Sequence, residues 1–330
     1  MAKIGMMSFA HIHALSYAAC LNELPEAELT AIWDDDLKRS KAQAKAFDTT
    51  FVEKMDDFLA LDVDGVIVTS ENVKHRAMVE QAAAAGKWVL CEKPLAPTVE
   101  DCRAMLEACK KAGVGLGTAF PCRYIPSVMA VKEELDKDVY GEIYAASCTN
   151  NGQFPGGWFA QRELAGGGAT MDHTVHVADL LRWMLGKDFT KVYCENGHLL
   201  RPEIDVDDVG SLHMEMEGSV IVSHIASWNR AATFPTWGDV TLELIGEKGV
   251  VSVDAFNQKL HVYDDANRKV VWDYWGGNPD LALVKDFVTA VDEKREPSIT
   301  GEDGLKAVEV TVAAYESAEK HEMVSLAPSS

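Results

Sequence analysis

The stretch CEKPLA, residues 91–96, places a carboxylate and an ammonium group side by side after a run of apolar residues. The pair is Glu92 and Lys93, and a helical pattern over residues 99–112 follows it. An exposed turn with a solvated ion pair would account for these two residues without any chemistry. The alternative is a catalytic strand end, and the rest of the chain has to decide between the two interpretations.

A second motif, GGGATMDHTVHVADLLRW, covers residues 166–183. Asp172, His176 and Asp179 stand at positions i, i+4 and i+7, which is one face of a helix. A carboxylate one turn from a histidine can orient the ring and raise its basicity. A buried structural pair is the alternative for Asp172 and His176. A metal site would have to include His173, which at i+1 is expected to point elsewhere, so no metal is expected.

The first 120 residues must position these side chains, and they alternate between apolar runs and amphipathic helical patterns. This alternation predicts an α/β fold with a doubly wound, Rossmann-type parallel sheet that is covered on both faces. Ligands bind beyond the carboxyl ends of the strands in such sheets. Ser8, Asp34, Thr69 and Glu92 stand at the predicted ends, so we expect a dinucleotide there.

The first turn of this sheet lacks the usual GxGxxG pattern. A short turn could still present backbone N–H groups and a helix N-terminus to a diphosphate. The residues of this turn are Ser8, Phe9, Ala10, His11 and Ile12. The alternative is that the turn no longer holds phosphate.

Asp34 ends the second strand, where an acid can bind a ribose 2′-hydroxyl and repel a 2′-phosphate. This position favours NAD over NADP, although a helix cap is the other interpretation of the acid. The end of the third strand completes the expected cofactor set together with Glu92 and Lys93. Its members are Thr69, Ser70, Asn72 and His75. Ser70 could simply start the next helix, and His75 could be a packed histidine.

After about residue 122 the pattern changes to alternating, β-rich segments joined by tight turns such as EGS and GEKG. We therefore expect residues 1–122 to form the dinucleotide-binding domain. Residues 123–330 are expected to form an α+β domain for substrate binding and oligomerisation, built on a large, mostly antiparallel open sheet. The uncovered face of that sheet needs a partner, and a second subunit is expected to supply it.

Composition limits the partners and the location. The 31 basic and 52 acidic residues give a formal charge of −21, which disfavours binding to nucleic acid or to an anionic membrane surface. The first residues lack the features of a secretory signal, and no apolar run approaches the roughly 20 residues of a membrane span. A cytoplasmic protein is expected. The seven scattered cysteines indicate neither disulfides nor a zinc knuckle.

The two motifs together resemble those of the Gfo/Idh/MocA family of NAD(P)-dependent oxidoreductases. EKP at residues 92–94 and the pattern around Asp172, His176 and Asp179 carry the resemblance, which runs nearly from end to end. It implies that Lys93 faces the substrate beside the nicotinamide, often with a cis peptide before Pro94. It also implies that Asp172 and His176 are the other catalytic residues and Asp179 a supporting acid. Arg123 and Tyr124 match a stretch that lines the family's cleft.

The resemblance implies an oxidoreductase that moves hydride between NAD and a secondary alcohol carbon of a sugar, inositol or related polyol. His176 would act as general base, oriented by Asp172, while Lys93 stabilises the substrate oxygen. Trp158, Trp228 and Trp237 are candidate stacking walls for a sugar ring, although tryptophans are more often core residues. A homodimer or homotetramer is expected. Two alternatives remain: a non-catalytic sensor or scaffold, and a reductase of imines or double bonds.

Overall fold

A computed structural model describes residues 1–234, 236–257, 259–274 and 277–327. It divides the chain into two compact units. The first unit contains residues 1–121, 157–167 and 280–312, and the second contains residues 122–156, 168–279 and 313–330.

The first unit is built on a six-stranded parallel sheet with the strand order β3-β2-β1-β4-β5-β6. Its strands are β1 (Ala2–Met7), β2 (Ala27–Trp33), β3 (Thr50–Phe51), β4 (Gly65–Val68), β5 (Trp88–Cys91) and β6 (Leu116–Thr118). Its helices are α1 (His13–Glu23), α2 (Leu37–Ala46), α3 (Met55–Leu59), α4 (His75–Ala84), α5 (Val99–Ala112), α7 (Arg162–Ala165), α9 (Pro279–Glu293) and the first part of α10 (Gly301–Lys320).

Local sequence explains these elements well. The four residues of β4, GVIV, are all buried, as expected for a strand covered on both faces. Helix α5 begins where the Thr98 side chain accepts the N–H of Asp101, and it ends at Gly113 in the left-handed conformation. Its observed bounds are those predicted from the sequence. The short β3 and α3 were not predicted, because two- and five-residue elements show no periodicity.

The register of the parallel strands positions the site. Met7 pairs with Trp33 on one side and with Val68 on the other, and Val68 pairs with Cys91. These strands therefore end at the same level, and the residues that follow them lie along one edge of the sheet.

The second unit contains a seven-stranded sheet with the order β12-β11-β7-β10-β9-β8-β15, in which only β7 and β10 pair in parallel. Its strands are β7 (Ile143–Gln153), β8 (Phe189–Gly197), β9 (Val209–Met216), β10 (Val220–Arg230), β11 (Gly238–Gly246), β12 (Gly249–Asp254) and β15 (Val324–Ser325). A separate hairpin pairs β13 (Lys259–Asp264) with β14 (Lys269–Tyr274). The helices of the second unit are α6 (Pro126–Asp136), α8 (Ala169–Leu185) and the last part of α10.

The predicted fold class is confirmed, since a parallel Rossmann-type sheet precedes a mostly antiparallel one. The EGS and GEKG turns do join antiparallel neighbours, β9 to β10 and β11 to β12. All seven cysteines are buried free thiols. Among the described helices, none combines the length and the apolarity that crossing a membrane requires.

Candidate active site

The first unit brings the predicted strand-end residues together. The Thr69 hydroxyl donates to the carbonyl of Ser8 at 2.7 Å, and the N–H of His11 donates to the carbonyl of Thr69 at 3.0 Å. Both bonds join the end of β4 to the turn after β1. The turn is therefore fixed to its neighbouring strand although it has no glycine.

The turn at residues 8–12 uses most of its own amides. Ser8 takes a positive φ of 75°, a conformation that glycine adopts more easily. The N–H of Phe9 donates to Asp34, and that of Ala10 donates to the Ser8 hydroxyl. Within the described residues, the N–H of Ile12 has no recorded acceptor and lies at the start of α1. Among the amides of residues 8–12, that of Ile12 is therefore the one that remains available to a ligand, at the start of a helix rather than in a glycine-rich loop.

Asp34 is completely buried and already paired. Its Oδ2 accepts from the N–H of Phe9 at 2.7 Å and from Arg39 Nε at 2.6 Å. Its Oδ1 accepts from Arg39 Nη2 at 2.7 Å and from the N–H of Asp36 at 3.0 Å. The hydrogen bonds with Asp34 raise the pKa of Arg39. A carboxylate offers about four acceptor positions, so any further donor must displace one of these, and the partly exposed Arg39 is the movable one.

We expect Asp34→Ser to lower the affinity for NADH roughly tenfold to a hundredfold, because a charged hydrogen bond to the ribose is lost. Binding of NADPH should improve, because the released guanidinium of Arg39 can pair with a 2′-phosphate. Fluorescence titration with both reduced cofactors measures the two effects. Asp36→Ser, which keeps a capping side chain at the start of α2, is the matched control. If Asp34→Ser keeps the wild-type preference between NADH and NADPH, Asp34 does not contact the cofactor.

The residues after β4 fall into two groups. Asn72 is buried; its Nδ2 donates to the carbonyl of Ala165 at 2.9 Å, while its Oδ1 has no partner among the described residues. Such a buried acceptor suits a donor group of a bound ligand. His75, in contrast, contacts the carbonyls of Ser70, Pro94 and Leu95 within 3.2 Å, and desolvation lowers its pKa. These contacts favour the packed histidine that the sequence left open.

Glu92 is the centre of a hydrogen-bond network at the end of β5. Its Oε1 accepts the Tyr17 hydroxyl at 2.6 Å and lies 2.8 Å from Nδ1 of His13, while its Oε2 accepts the N–H of Lys93 at 2.7 Å. Burial alone would raise the pKa of this carboxyl group, but His11, His13 and Lys93 outweigh it and hold the pKa well below its usual value. Glu92 is therefore ionised and fixes the peptide that carries Lys93.

Lys93 itself is 4% exposed, and the peptide between Lys93 and Pro94 is cis, as the resemblance implied. A solvated surface ion pair does not fit this burial, so the first interpretation of CEKPLA is wrong. The role of Lys93 in catalysis stays a prediction.

In the second unit, α8 carries the other predicted catalytic residues in buried positions. Asp172 Oδ2 accepts the Trp228 indole N–H at 3.2 Å and lies 3.3 Å from Nε2 of His173. The expectation that His173 points away from Asp172 is therefore wrong. Nδ1 of His173 lies 2.9 Å from the carbonyl oxygen of Asn150. This contact orients the ring so that Nε2 faces the carboxylate of Asp172. Orientation of His176 by Asp172 stays a prediction.

The remaining residues on this helix contact the segment before α6. Nδ1 of His176 lies 3.8 Å from the thiol of Cys122. Arg123 donates two bonds to Asp179, at 2.9 and 2.5 Å, and its guanidinium lies over the ring of Trp183. The predicted supporting acid thus holds the predicted substrate-binding arginine, and both side chains are buried.

The three candidate stacking tryptophans differ in their surroundings. Trp228 is completely buried, so it cannot form an open stacking wall. Trp237 is 52% exposed. Trp158 belongs to the first unit, stacks on Phe159 with a centroid distance of 3.9 Å, and donates its N–H to the carbonyl of Ala10 at 3.1 Å.

Two residues that the sequence did not indicate help to position the site. One is Arg39, described above. The other is Asp207, whose carboxylate accepts the N–H groups of Gly168 and Thr170 and the Tyr315 hydroxyl, at 3.1, 2.7 and 2.6 Å. These bonds satisfy free N–H groups at the start of α8. No local pattern could reveal Asp207, since it stands 39 and 37 residues from the two N–H groups that it accepts.

Comparison with known proteins agrees with this architecture. Residues 3–120 match the model described as oxidoreductase family, NAD-binding Rossmann fold, and residues 128–252 match the GFO/IDH/MocA C-terminal domain. A 1,5-anhydro-D-fructose reductase from Ensifer adhaerens is 30% identical over 78% of this chain and 78% of its own length. An inositol 2-dehydrogenase from Rhizobium meliloti is 27% identical over 98% and 99% of the two chains.

Among solved structures, GenD2 from gentamicin A biosynthesis in complex with NAD superimposes with a TM-score of 0.90, at 25% identity, over 99% of this chain and 97% of its own. The sheet order, the ends of the strands and these matches agree with the resemblance predicted from the EKP and helix α8 motifs. The chain belongs to the Gfo/Idh/MocA family of NAD-dependent oxidoreductases.

Proposed function

We propose that the chain transfers hydride between NAD and a secondary alcohol carbon of a sugar, inositol or related polyol. The observation that carries the proposal is a lysine, Lys93, buried at the end of β5 and fixed through its backbone N–H to the ionised Glu92. Relatives named inositol 2-dehydrogenase, and a 28% identical D-glucoside 3-dehydrogenase from Escherichia coli, support the substrate class. Residues 1–122 would bind NAD, and residues 123–330 would bind the substrate and a second subunit.

The first unit contains groups that fit NAD. Asp34 would accept a hydroxyl of the adenosine ribose once Arg39 moves, and the unpaired Oδ1 of Asn72 would accept a donor of the cofactor. The N–H of Ile12 and the start of α1 would face the diphosphate. When bound, NAD supplies the hydride acceptor at C4 of its nicotinamide. Thr69 and the backbone of residues 8–11 would shape the pocket rather than donate to it, because their polar groups are already bonded within the chain.

In the direction of oxidation, the substrate hydroxyl loses its proton and the carbon that bears it loses a hydride, leaving a carbonyl group. His176 would accept the proton, and Asp172 would stabilise the imidazolium that forms. The ammonium of Lys93 would donate a hydrogen bond to the oxygen as negative charge develops there. Arg123 and Trp158 would contact the other hydroxyl groups of the substrate from the positions that Asp179 and Ala10 give them.

A substrate panel with the His176→Asn variant tests this proposal. Wild-type enzyme and NAD should oxidise at least one of a set of inositols, aldoses and glycosides, and His176→Asn should lower kcat by about a hundredfold or more. His213→Asn, which changes an exposed histidine on β9, is the matched control and should keep full activity. Equal activity of the two variants would exclude His176 as the base.

The same panel separates the alternatives. A sensor or scaffold would bind NADH without turnover in either direction. A reductase of imines or double bonds would consume NADH with those substrates and leave every polyol unchanged. The relatives named above are dehydrogenases and reductases, and none of them is named as a sensor.

We also propose that the open face of the seven-stranded sheet packs against a second copy of the chain, in a homodimer or homotetramer. Val250, Ile245, Ala145 and Ile221 are cross-strand neighbours on β12, β11, β7 and β10. Val250, Ile245 and Ile221 are 57%, 41% and 65% exposed. A continuous apolar row of this kind marks a protein interface more often than a free surface.

We expect Ile221→Glu to convert the assembly into monomers, because a buried unpaired carboxylate would oppose the apolar row. Light scattering coupled to gel filtration measures the mass. Leu199→Glu, which places the same charge on a 77% exposed leucine outside the sheet, should leave the assembly intact. A monomeric wild-type protein at micromolar concentration would refute the interface.

A further inference from the structure

Two histidines and a glutamate meet at the edge of the parallel sheet in the first unit. One ring nitrogen of His11, one of His13 and a carboxylate oxygen of Glu92 all lie within 4.8 Å of one another. The Nδ1 atoms of His11 and His13 stand 3.9 and 2.8 Å from Oε1 of Glu92. We propose that these three side chains form a binding site for one divalent transition-metal ion, with zinc as the best match. The oxidoreductase activity proposed above does not require this site.

The ligand chemistry supports this assignment. Two imidazoles and one glutamate form a common zinc set, which leaves a fourth position for water or another ligand. Zinc bonds of about 2.0–2.2 Å in a tetrahedron place ligand atoms about 3.4 Å apart. The observed separations from Glu92 Oε1, 3.9 and 2.8 Å, lie on either side of that value, and all three ligand atoms lie within 4.8 Å of one another, so side-chain shifts of about an ångström would bring them to a tetrahedral arrangement.

The hydrogen bonds around the cluster suit a metal as well. Nδ1 of His11 accepts the N–H of His13 at 3.2 Å, so this nitrogen is unprotonated, and a metal would take the place of that hydrogen bond and of the proton between Nδ1 of His13 and Glu92. The Tyr17 hydroxyl and the N–H of Lys93 bond to the two oxygens of Glu92 and orient the carboxylate from outside. The side chain of His13 is 34% exposed, which gives an ion access to the cluster.

The sequence alone conceals this cluster. His11 and His13 stand together in HIH, but Glu92 follows about 80 residues later, and only the aligned ends of β1 and β5 bring it near. The motif at residues 172–176, from which no metal was expected, contains none of these three side chains. An ion at residues 11, 13 and 92 would tie the first turn to the strand end that carries Lys93.

Cobalt(II) and zinc binding to the full chain, prepared without a histidine tag and treated with a chelator, tests the proposal. We expect one Co²⁺ per chain with the intense visible absorption of a tetrahedral site, displaced by one equivalent of Zn²⁺. His11→Asn should weaken Zn²⁺ binding by about a hundredfold or more, and Tyr17→Phe by roughly tenfold to a hundredfold through the lost orienting bond. These measurements need no NAD and no substrate, so failure of the proposed function leaves them unaffected.

The matched control is His321→Asn, because His321 contacts Glu195 at the surface, 3.3 Å away, with no third ligand recorded beside it among the described residues. This variant should bind Zn²⁺ as the wild type does. Thermal unfolding of each metal-free variant verifies that it is folded. If His11→Asn does not fold, Tyr17→Phe serves as the second variant. Binding of less than one ion per chain, or equal affinity in Tyr17→Phe and His321→Asn, would overturn the proposal.

Discussion

Lys93→Ala is expected to lower kcat by about a hundredfold or more, while the dissociation constant for NADH changes by less than about threefold. The ammonium group would act on the oxygen whose charge develops during hydride transfer, so its loss affects the transition state more than cofactor binding. The backbone N–H of residue 93 would keep its bond to Glu92, which preserves the strand end in the variant. Steady-state kinetics with the best polyol and fluorescence titration with NADH give the two values.

Lys110→Ala provides the comparison for this experiment. Lys110 is an exposed residue in the last turn of α5, so its loss removes one positive charge of the same unit and no buried contact. Its kcat should equal that of the wild type. If Lys93→Ala also keeps wild-type turnover, Lys93 has no catalytic role. If NADH affinity falls as much as kcat does, the side chain holds the cofactor instead.

Gly168→Ala is expected to destabilise the chain by about 3 kcal/mol or more and to abolish most activity. A Cβ atom at this position would lie 1.9 Å from the carbonyl oxygen of Asp207, a backbone atom that cannot rotate away. The start of α8 or the segment around Asp207 would have to move, and overpacking of this kind costs about 1–3 kcal/mol even where side chains can adjust. Because α8 carries Asp172 and His176, kcat should fall together with stability.

Guanidinium unfolding and kcat, measured on the same preparations, test this prediction. Gly249→Ala is the matched control: it lies in the same unit, and its nearest atom would be a tyrosine ring carbon at 3.7 Å, an ordinary contact. We expect that variant to unfold at nearly the wild-type midpoint. A Gly168→Ala protein with the midpoint of the control would show that the start of α8 adapts without cost.

The sequence predicted most of the framework because its signals are local and strong. Apolar runs with β-branched residues identified the parallel strands, and their carboxyl ends identified Ser8, Asp34, Thr69 and Glu92 as neighbours along one edge. The helical pattern over residues 99–112 predicted the bounds of α5, and the structure places its caps at Thr98 and Gly113. Such features depend on a few adjacent residues, so one chain suffices to recognise them.

What the sequence could not supply is the set of partners of each site residue. Arg39 on Asp34, Asp207 at the start of α8 and His173 beside Asp172 are tertiary contacts made by freely rotating polar side chains. The placement of Trp158 in the first unit also depends on the chain returning to it after residue 156. Neither the rotamer of a side chain nor the return of the chain to an earlier unit produces a periodic pattern in the sequence.

In the proposed cofactor site, Arg39 would compete with the ribose of NAD for the carboxylate of Asp34. Because the guanidinium holds both carboxylate oxygens, only the molecules with Arg39 displaced would accept the ribose. The apparent affinity for NAD would then be lowered in proportion to the fraction of such molecules. The same arginine is ready to close on the carboxylate as the oxidised or reduced cofactor leaves, which favours release, and cofactor release is a step that often limits turnover.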